Sequence, residues 1–237
     1  MRGYALVNES TRPELTPAVM SAHASALDAQ QRDVADWWER APLPVSCVGS
    51  EKDVPVDSGI VLATYVDTLS DPDALAYHTV DQYGRPRIYI GVGIVLANGG
   101  TISGPGGLLS AASHELIETT VDPYCGFNVD LPDGSAETPL EAADWTQGDS
   151  YEQKGLEGLF VSNFCGPRCF DASAKDGPWD RMGLMSGPFQ LRPGGYWSLR
   201  TGGPGGQWTA TFGKLMPEWV QRAKLARGGR RELRWQR

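Results

Sequence analysis

The stretch that most restricts what this chain can fold into is residues 108–120. There Ser113-His114-Glu115-Leu116-Ile117-Glu118 sits among the small and apolar residues Leu108, Leu109, Ala111 and Ala112. It reads as a helix. A glycine-rich loop, residues 98–107, leads into it. It must stop near Val121-Asp122, because the residue before Pro123 is pushed out of the helical region. Its composition marks it as buried, yet it carries an imidazole and two carboxylates. Buried charges need partners or a metal, so any fold of this chain has to bring complementary groups to this helix.

Residues four apart on a helix stand one above the other. His114 and Glu118 therefore project together, close enough to share one cation. Glu115 lies about 100° further round, where a carboxylate can act as general base toward a metal-bound water. The spacing is that of the zinc-site string His-Glu-x-x-His with Glu in place of the second His, and zinc accepts carboxylate oxygen. The same string can arise by chance on a solvated helix; the apolar surroundings argue against that here.

A third ligand has to come from elsewhere. Asp122 follows His114 by two turns, but the helix is ending there. Leu140-Glu141-Ala142-Ala143-Asp144-Trp145 is the better source. If it forms a helical turn, Glu141 and Asp144 face the same way, and one can bind metal while the other orients His114. A solvated acidic turn is the bland alternative. His78 and Tyr151 are candidate transition-state donors by residue type alone. Zn²⁺ is the expected ion. A set with one imidazole and several carboxylates also suits a harder ion such as Mn²⁺ or Ca²⁺, and its negative charge lowers the metal's Lewis acidity.

Around this helix the pattern predicts an α+β fold. Strands are expected at residues 4–7, 45–48 and 60–66, with a hairpin at 77–80 and 87–92. A helix is expected from Pro17, capped by Thr16, to about Glu39, with Val19, Met20, Ala24, Leu27, Val34 and Trp38 at helical spacing. His23 falls inside it as a surface or core residue. The glycine-rich loop has no phosphate-binding fingerprint. With strands preceding and following the helices, both helices should lie on one face of a mixed sheet. The C-terminal half reads as loop-rich, and residues 1–212 as one domain.

Charge is unevenly spread. Residues 214–237 hold eight Lys or Arg against two Glu, a net +6, which leaves the rest of the chain at −14 against a total of −8. Apolar residues within that stretch (Leu215, Met216, Trp219, Val220, Ala223, Leu225) make residues 213–237 a basic helical tail that docks on protein subunits in preference to nucleic acid. No apolar run approaches the roughly 18 residues that cross a bilayer. The start turns polar at Asn8, too early for a secretory signal, which predicts synthesis into the cytoplasm and no membrane partner. The four cysteines (Cys47, Cys125, Cys165, Cys169) lack a Cys-x-x-Cys pair and are expected as buried reduced thiols.

Ser113-His114-Glu115-Leu116-Ile117-Glu118 with Val121-Asp122-Pro123-Tyr124 resembles a group of uncharacterised zincin-like phage and bacterial proteins with a Ser-His-Glu-x-x-Glu…Asp-Pro signature. The similarity continues through Glu141-Ala142-Ala143-Asp144, Asp149-Ser150-Tyr151, Val161-Ser162-Asn163-Phe164 and Pro193-Gly194-Gly195-Tyr196. Upstream it takes in Val7-Asn8-Glu9-Ser10-Thr11 and Ala74-Leu75-Ala76-Tyr77-His78. More distantly, the metal-site segment is similar to the plant Exordium-type proteins. The resemblance spans about residues 4–200. The chain departs from it at Ala143, where Cys is frequent, and at Cys165 and Cys169, where apolar or aromatic residues are usual. It implies a zincin-like (metalloprotease-like) domain, a bacteriophage source and a virion component.

Two functions follow as expectations. One is a virion-associated structural protein that keeps a zincin-like metal-binding fold. The other is a zinc-dependent peptidase in which His114, Glu118 and Glu141 or Asp144 hold the ion and Glu115 is the general base.

Overall fold

A computed structural model describes residues 1–71, 74–216 and 221. Strand β1 (Gly3–Asn8) leads through a short loop into helix α1 (Pro17–Trp37). Thr16 caps α1, its Oγ1 accepting from Val19 N at 3.3 Å, and Pro17 opens the first turn. The helix ends earlier than Glu39. Glu39 takes a left-handed φ of 50°, and Arg40 N donates to Ala35 O at 2.9 Å. The turned-out Arg40 guanidinium then donates to the carbonyls of Thr120 and Val121.

Strands β2 (Val45–Cys47), β3 (Ile60–Val66), β4 (Ala76–Val80) and β5 (Pro86–Gly91) complete a five-stranded sheet of order β2-β1-β3-β5-β4. All neighbours are parallel except β4, which runs antiparallel to β5 at the edge. Helix α2 (Val92–Ala97) follows, and then helix α3 (Leu108–Val121), which carries His114. The strand period of two assigns one set of side chains to the helix face. Tyr4, Leu6, Val61, Ala63, Tyr65, Ile88 and Ile90 meet Met20, Leu27, Leu109, Ala112 and Leu116 in one core. Both long helices therefore cover the same face, as the element order predicts. On the opposite face, Ala5, Val7 and Leu62 form a smaller cluster.

Beyond α3 come β6 (Asn128–Asp130), β7 (Glu137–Pro139), β8 (Ser150–Glu152), β9 (Phe160–Ser162), β10 (Tyr196–Thr201) and β11 (Gln207–Phe212). They form a four-stranded sheet of order β11-β10-β7-β6 and the β8-β9 hairpin. An aromatic cluster supports this half: Trp145 is buried against Phe170 at 4.5 Å, Trp197 at 5.5 Å and Phe189 at 5.7 Å between ring centroids.

The chain is thus α+β with a mixed sheet. Among the described residues no helix is long and apolar enough to cross a membrane. The basic tail falls outside the described residues from Pro217 onward, apart from Gln221. Cys125, Cys165 and Cys169 are buried free thiols as expected, whereas Cys47 is exposed, because its short strand lies at the sheet edge.

Candidate metal centre

Three elements converge on one buried point. Helix α3 is pinned to the sheet by Tyr4, whose hydroxyl lies 2.6 Å from Thr120 Oγ1, and to β9 by Ser113, whose Oγ accepts from Ser162 N at 2.6 Å. With α3 held on both sides, the face bearing His114, Glu115 and Glu118 looks toward the edge strand β4 and toward a 3-10 turn at Asp144–Thr146. Strand alternation puts Ala76 and His78 on the helix face of β4, opposite Ile90 and Ile88. The turn carrying Asp144 is fixed by Trp145 next to it, which is wedged into the aromatic cluster. All five side chains are buried: His78 and Asp144 are 2% exposed, Glu118 3%, and His114 and Glu115 7%.

The donor atoms fall into two groups that share Glu118. His114 Nε2 lies 3.1 Å from Glu118 Oε1 and 3.2 Å from Asp144 Oδ1. His78 Nδ1 lies 3.0 Å from Glu115 Oε2 and 3.6 Å from Glu118 Oε2. Within each group all donor atoms are within 4.8 Å of one another. Ligand atoms held at about 2.0–2.2 Å from one ion stand roughly 2.8–3.6 Å apart, depending on octahedral or tetrahedral angles. The four imidazole–carboxylate separations lie in that range.

Hydrogen bonding alone does not satisfy the first group. A single ring nitrogen has one in-plane direction, yet two carboxylate oxygens converge on His114 Nε2. The hydrogen bond runs to Asp144, and Glu118 Oε1 is left buried with no hydrogen-bond partner among the described residues. A buried carboxylate oxygen without a donor is costly. A cation on the Nε2 lone pair would serve both oxygens at once, so the donor set fits a metal.

The protonation energetics agree. Burial, reinforced by Asp144 and opposed by His114, pushes the Glu118 carboxyl up to about 8. Burial would lower the His114 pKa, but Glu118 and Asp144 outweigh it and hold the imidazole well above its ordinary value. Burial likewise acts to lower His78, and Cys125 and Glu115 beside it carry it upward. The crowding of buried charge that raises these proton affinities is what a divalent cation could relieve.

Of the residues singled out from the sequence, His114, Glu118 and Asp144 come together, with Glu115 alongside. Glu141 is in neither group: it is half-buried, and its charge acts on Glu118. The residues before Asp144 do not form the helical turn that would align the two acids; the 3-10 turn begins at Asp144 itself. Asp122 instead caps the loop after α3, accepting from Gly126 N and Phe127 N at 3.0 and 2.9 Å. Tyr151 faces away, its hydroxyl 3.4 Å from Asp33 and its ring under Arg181. His23 is a core residue bonded to Tyr65 and Ser103, with its pKa lowered by burial to about 4.

Two residues take roles the sequence reading did not give them. His78 is a member of the cluster rather than a donor to a reacting group. Tyr196 is buried with its hydroxyl donating to Asp144, the kind of outer contact that orients a metal-binding carboxylate. Gly195 makes that approach possible, since any side chain there would collide with the Trp145 carbonyl. No family model, curated protein or solved structure matches the chain.

Proposed function

We propose that this protein is a metalloprotein of zincin-like fold in which His114, Glu118 and Asp144 hold a divalent cation. We propose further that the centre serves a virion-associated structural component. The observation that carries the metal reading is the buried Glu118 Oε1, which faces His114 Nε2 at 3.1 Å and has no hydrogen-bond partner among the described residues. A site-bearing helix packed on a mixed sheet supports the zincin-like assignment, as does the Ser-His-Glu-x-x-Glu…Asp-Pro signature. That signature also suggests the phage source and the virion role. Zn²⁺ suits the imidazole; the two carboxylates admit Mn²⁺ as well.

A structural role for the ion is favoured over a peptidase by the state of Glu115. The peptidase reading needs that carboxylate to take a proton from metal-bound water, and here its Oε2 is 3.0 Å from His78 Nδ1. A cation whose ligands come from α3 and from the Asp144 turn would tie the two halves of the chain together.

The test is metal content. Protein freed of metal, reloaded with Zn²⁺ and dialysed should retain bound ion, and His114→Ala should lose the ion held by His114, Glu118 and Asp144. A native wild-type protein that retains none would remove the reading. A companion assay decides the role: metal-dependent cleavage of a broad peptide library, abolished in Glu115→Gln, would replace the structural assignment by the peptidase one. For the basic tail, we propose docking onto partner subunits of the assembly.

A further inference from the structure

Glu118 divides its two oxygens between two imidazoles: Oε1 lies 3.1 Å from His114 Nε2, and Oε2 lies 3.6 Å from His78 Nδ1. That is the placement of a carboxylate that bridges two ions. The geometry points to a second divalent-cation site formed by His78, Glu115 and Glu118, so that the centre is dinuclear with Glu118 as the shared ligand. The inference rests on the metal reading above and deepens it.

Three features support the second ion. The donor atoms of His78, Glu115 and Glu118 are mutually within 4.8 Å, the same bound that the first group meets. They come from two rigid elements, β4 and α3, so their separation is fixed by the packing of helix on sheet rather than by a loop. Charge is the third. Glu115, Glu118 and Asp144 are three buried carboxylates. One divalent ion would leave the cluster at −1 with both imidazoles neutral, whereas two leave it at +1. Bridged ions in such centres stand about 3.5–4 Å apart, and a single carboxylate spans that distance.

The second ion reassigns Glu115 as a ligand. It also answers the weakness of a carboxylate-rich mononuclear site. Three carboxylates shared between two ions neutralise each one less, so each keeps more Lewis acidity. Mixed imidazole and carboxylate donors suit Mn²⁺ or Zn²⁺ at this position.

The test uses the full chain freed of metal and dialysed against Mn²⁺, read by elemental analysis and by electron paramagnetic resonance. Wild type is expected to hold two Mn²⁺ per chain with a spin-coupled signal, and His78→Gln to hold one, uncoupled. One uncoupled Mn²⁺ in wild type would overturn the second site and leave the first standing. Two uncoupled ions would also overturn it, placing the second ion elsewhere. If neither Mn²⁺ nor Zn²⁺ binds, the mononuclear reading falls too. Should His78→Gln fail to fold, the wild-type coupling decides the matter alone.

Discussion

Replacing Glu118 by glutamine should abolish the stabilisation that metal confers while leaving the metal-free protein as stable as wild type near pH 4.5 and progressively more stable than it as pH rises toward 8. In the metal-free protein the Glu118 carboxyl is pushed up to about 8, so near pH 7 it is largely protonated. Glutamine copies that neutral shape but offers the ion no charge. With ion at a thousandfold excess over its dissociation constant, binding adds about 4 kcal/mol. For a chain of this size that is on the order of 10 °C in melting temperature.

The pH dependence has a definite sign. Between about 4.5 and 8 the native protein keeps a proton on Glu118 that the unfolded chain has released, so metal-free stability falls as pH rises through that window. His114, also raised, acts in the same sense: its contribution is complete below its unfolded value and fades as pH climbs through the folded one. Metal reverses the slope, because the ion displaces these protons and binds more tightly as pH rises. Calorimetric scans from pH 6 to 9, with and without Zn²⁺, should therefore diverge with pH in wild type and coincide in Glu118→Gln. A metal-induced rise that survives in Glu118→Gln would mean that the ion binds elsewhere.

Trp145→Ala should be the most damaging single change outside the donor set. Trp145 is 1% exposed and touches Phe170, Phe189 and Trp197. Truncating a buried aromatic of this size costs about 3–5 kcal/mol, measurable by urea unfolding of the metal-free protein. Its neighbour in sequence is Asp144, so the cavity also frees the turn that aims Oδ1 at His114. Metal affinity should then weaken by about 10–100-fold, the range seen when contacts behind a ligand are lost. If stability drops while affinity stays unchanged, the aromatic cluster does not position Asp144.

Much of the site was legible because it lies on one continuous helix. A run of small apolar residues interrupted by His114, Glu115 and Glu118 has few solutions other than a buried face turned toward partners. The Thr16-Pro17 start of α1 and the hairpin that became β4 and β5 were equally local signals. His78 was harder, since its meaning depends on which edge strand packs on α3. The register alone offered a hint: alternation from Ala76 puts His78 on the apolar face opposite Ile88. Helix α2 carries no helical signal in the sequence, because Val92, Ile94 and Val95 are β-branched, continue the preceding strand's pattern, and follow Gly91, which has no side chain to cap the helix. Choosing Asp144 over Glu141 needed the backbone of the turn, and Tyr196 reaches the site only through the close approach of Gly195.

Where the ion sits is the central question, and anomalous diffraction at the zinc edge from Zn²⁺-loaded crystals answers it directly. A peak is expected at about 2.0–2.2 Å from His114 Nε2, a Glu118 oxygen and an Asp144 oxygen. A fully loaded crystal with no peak among those three side chains would contradict the assignment.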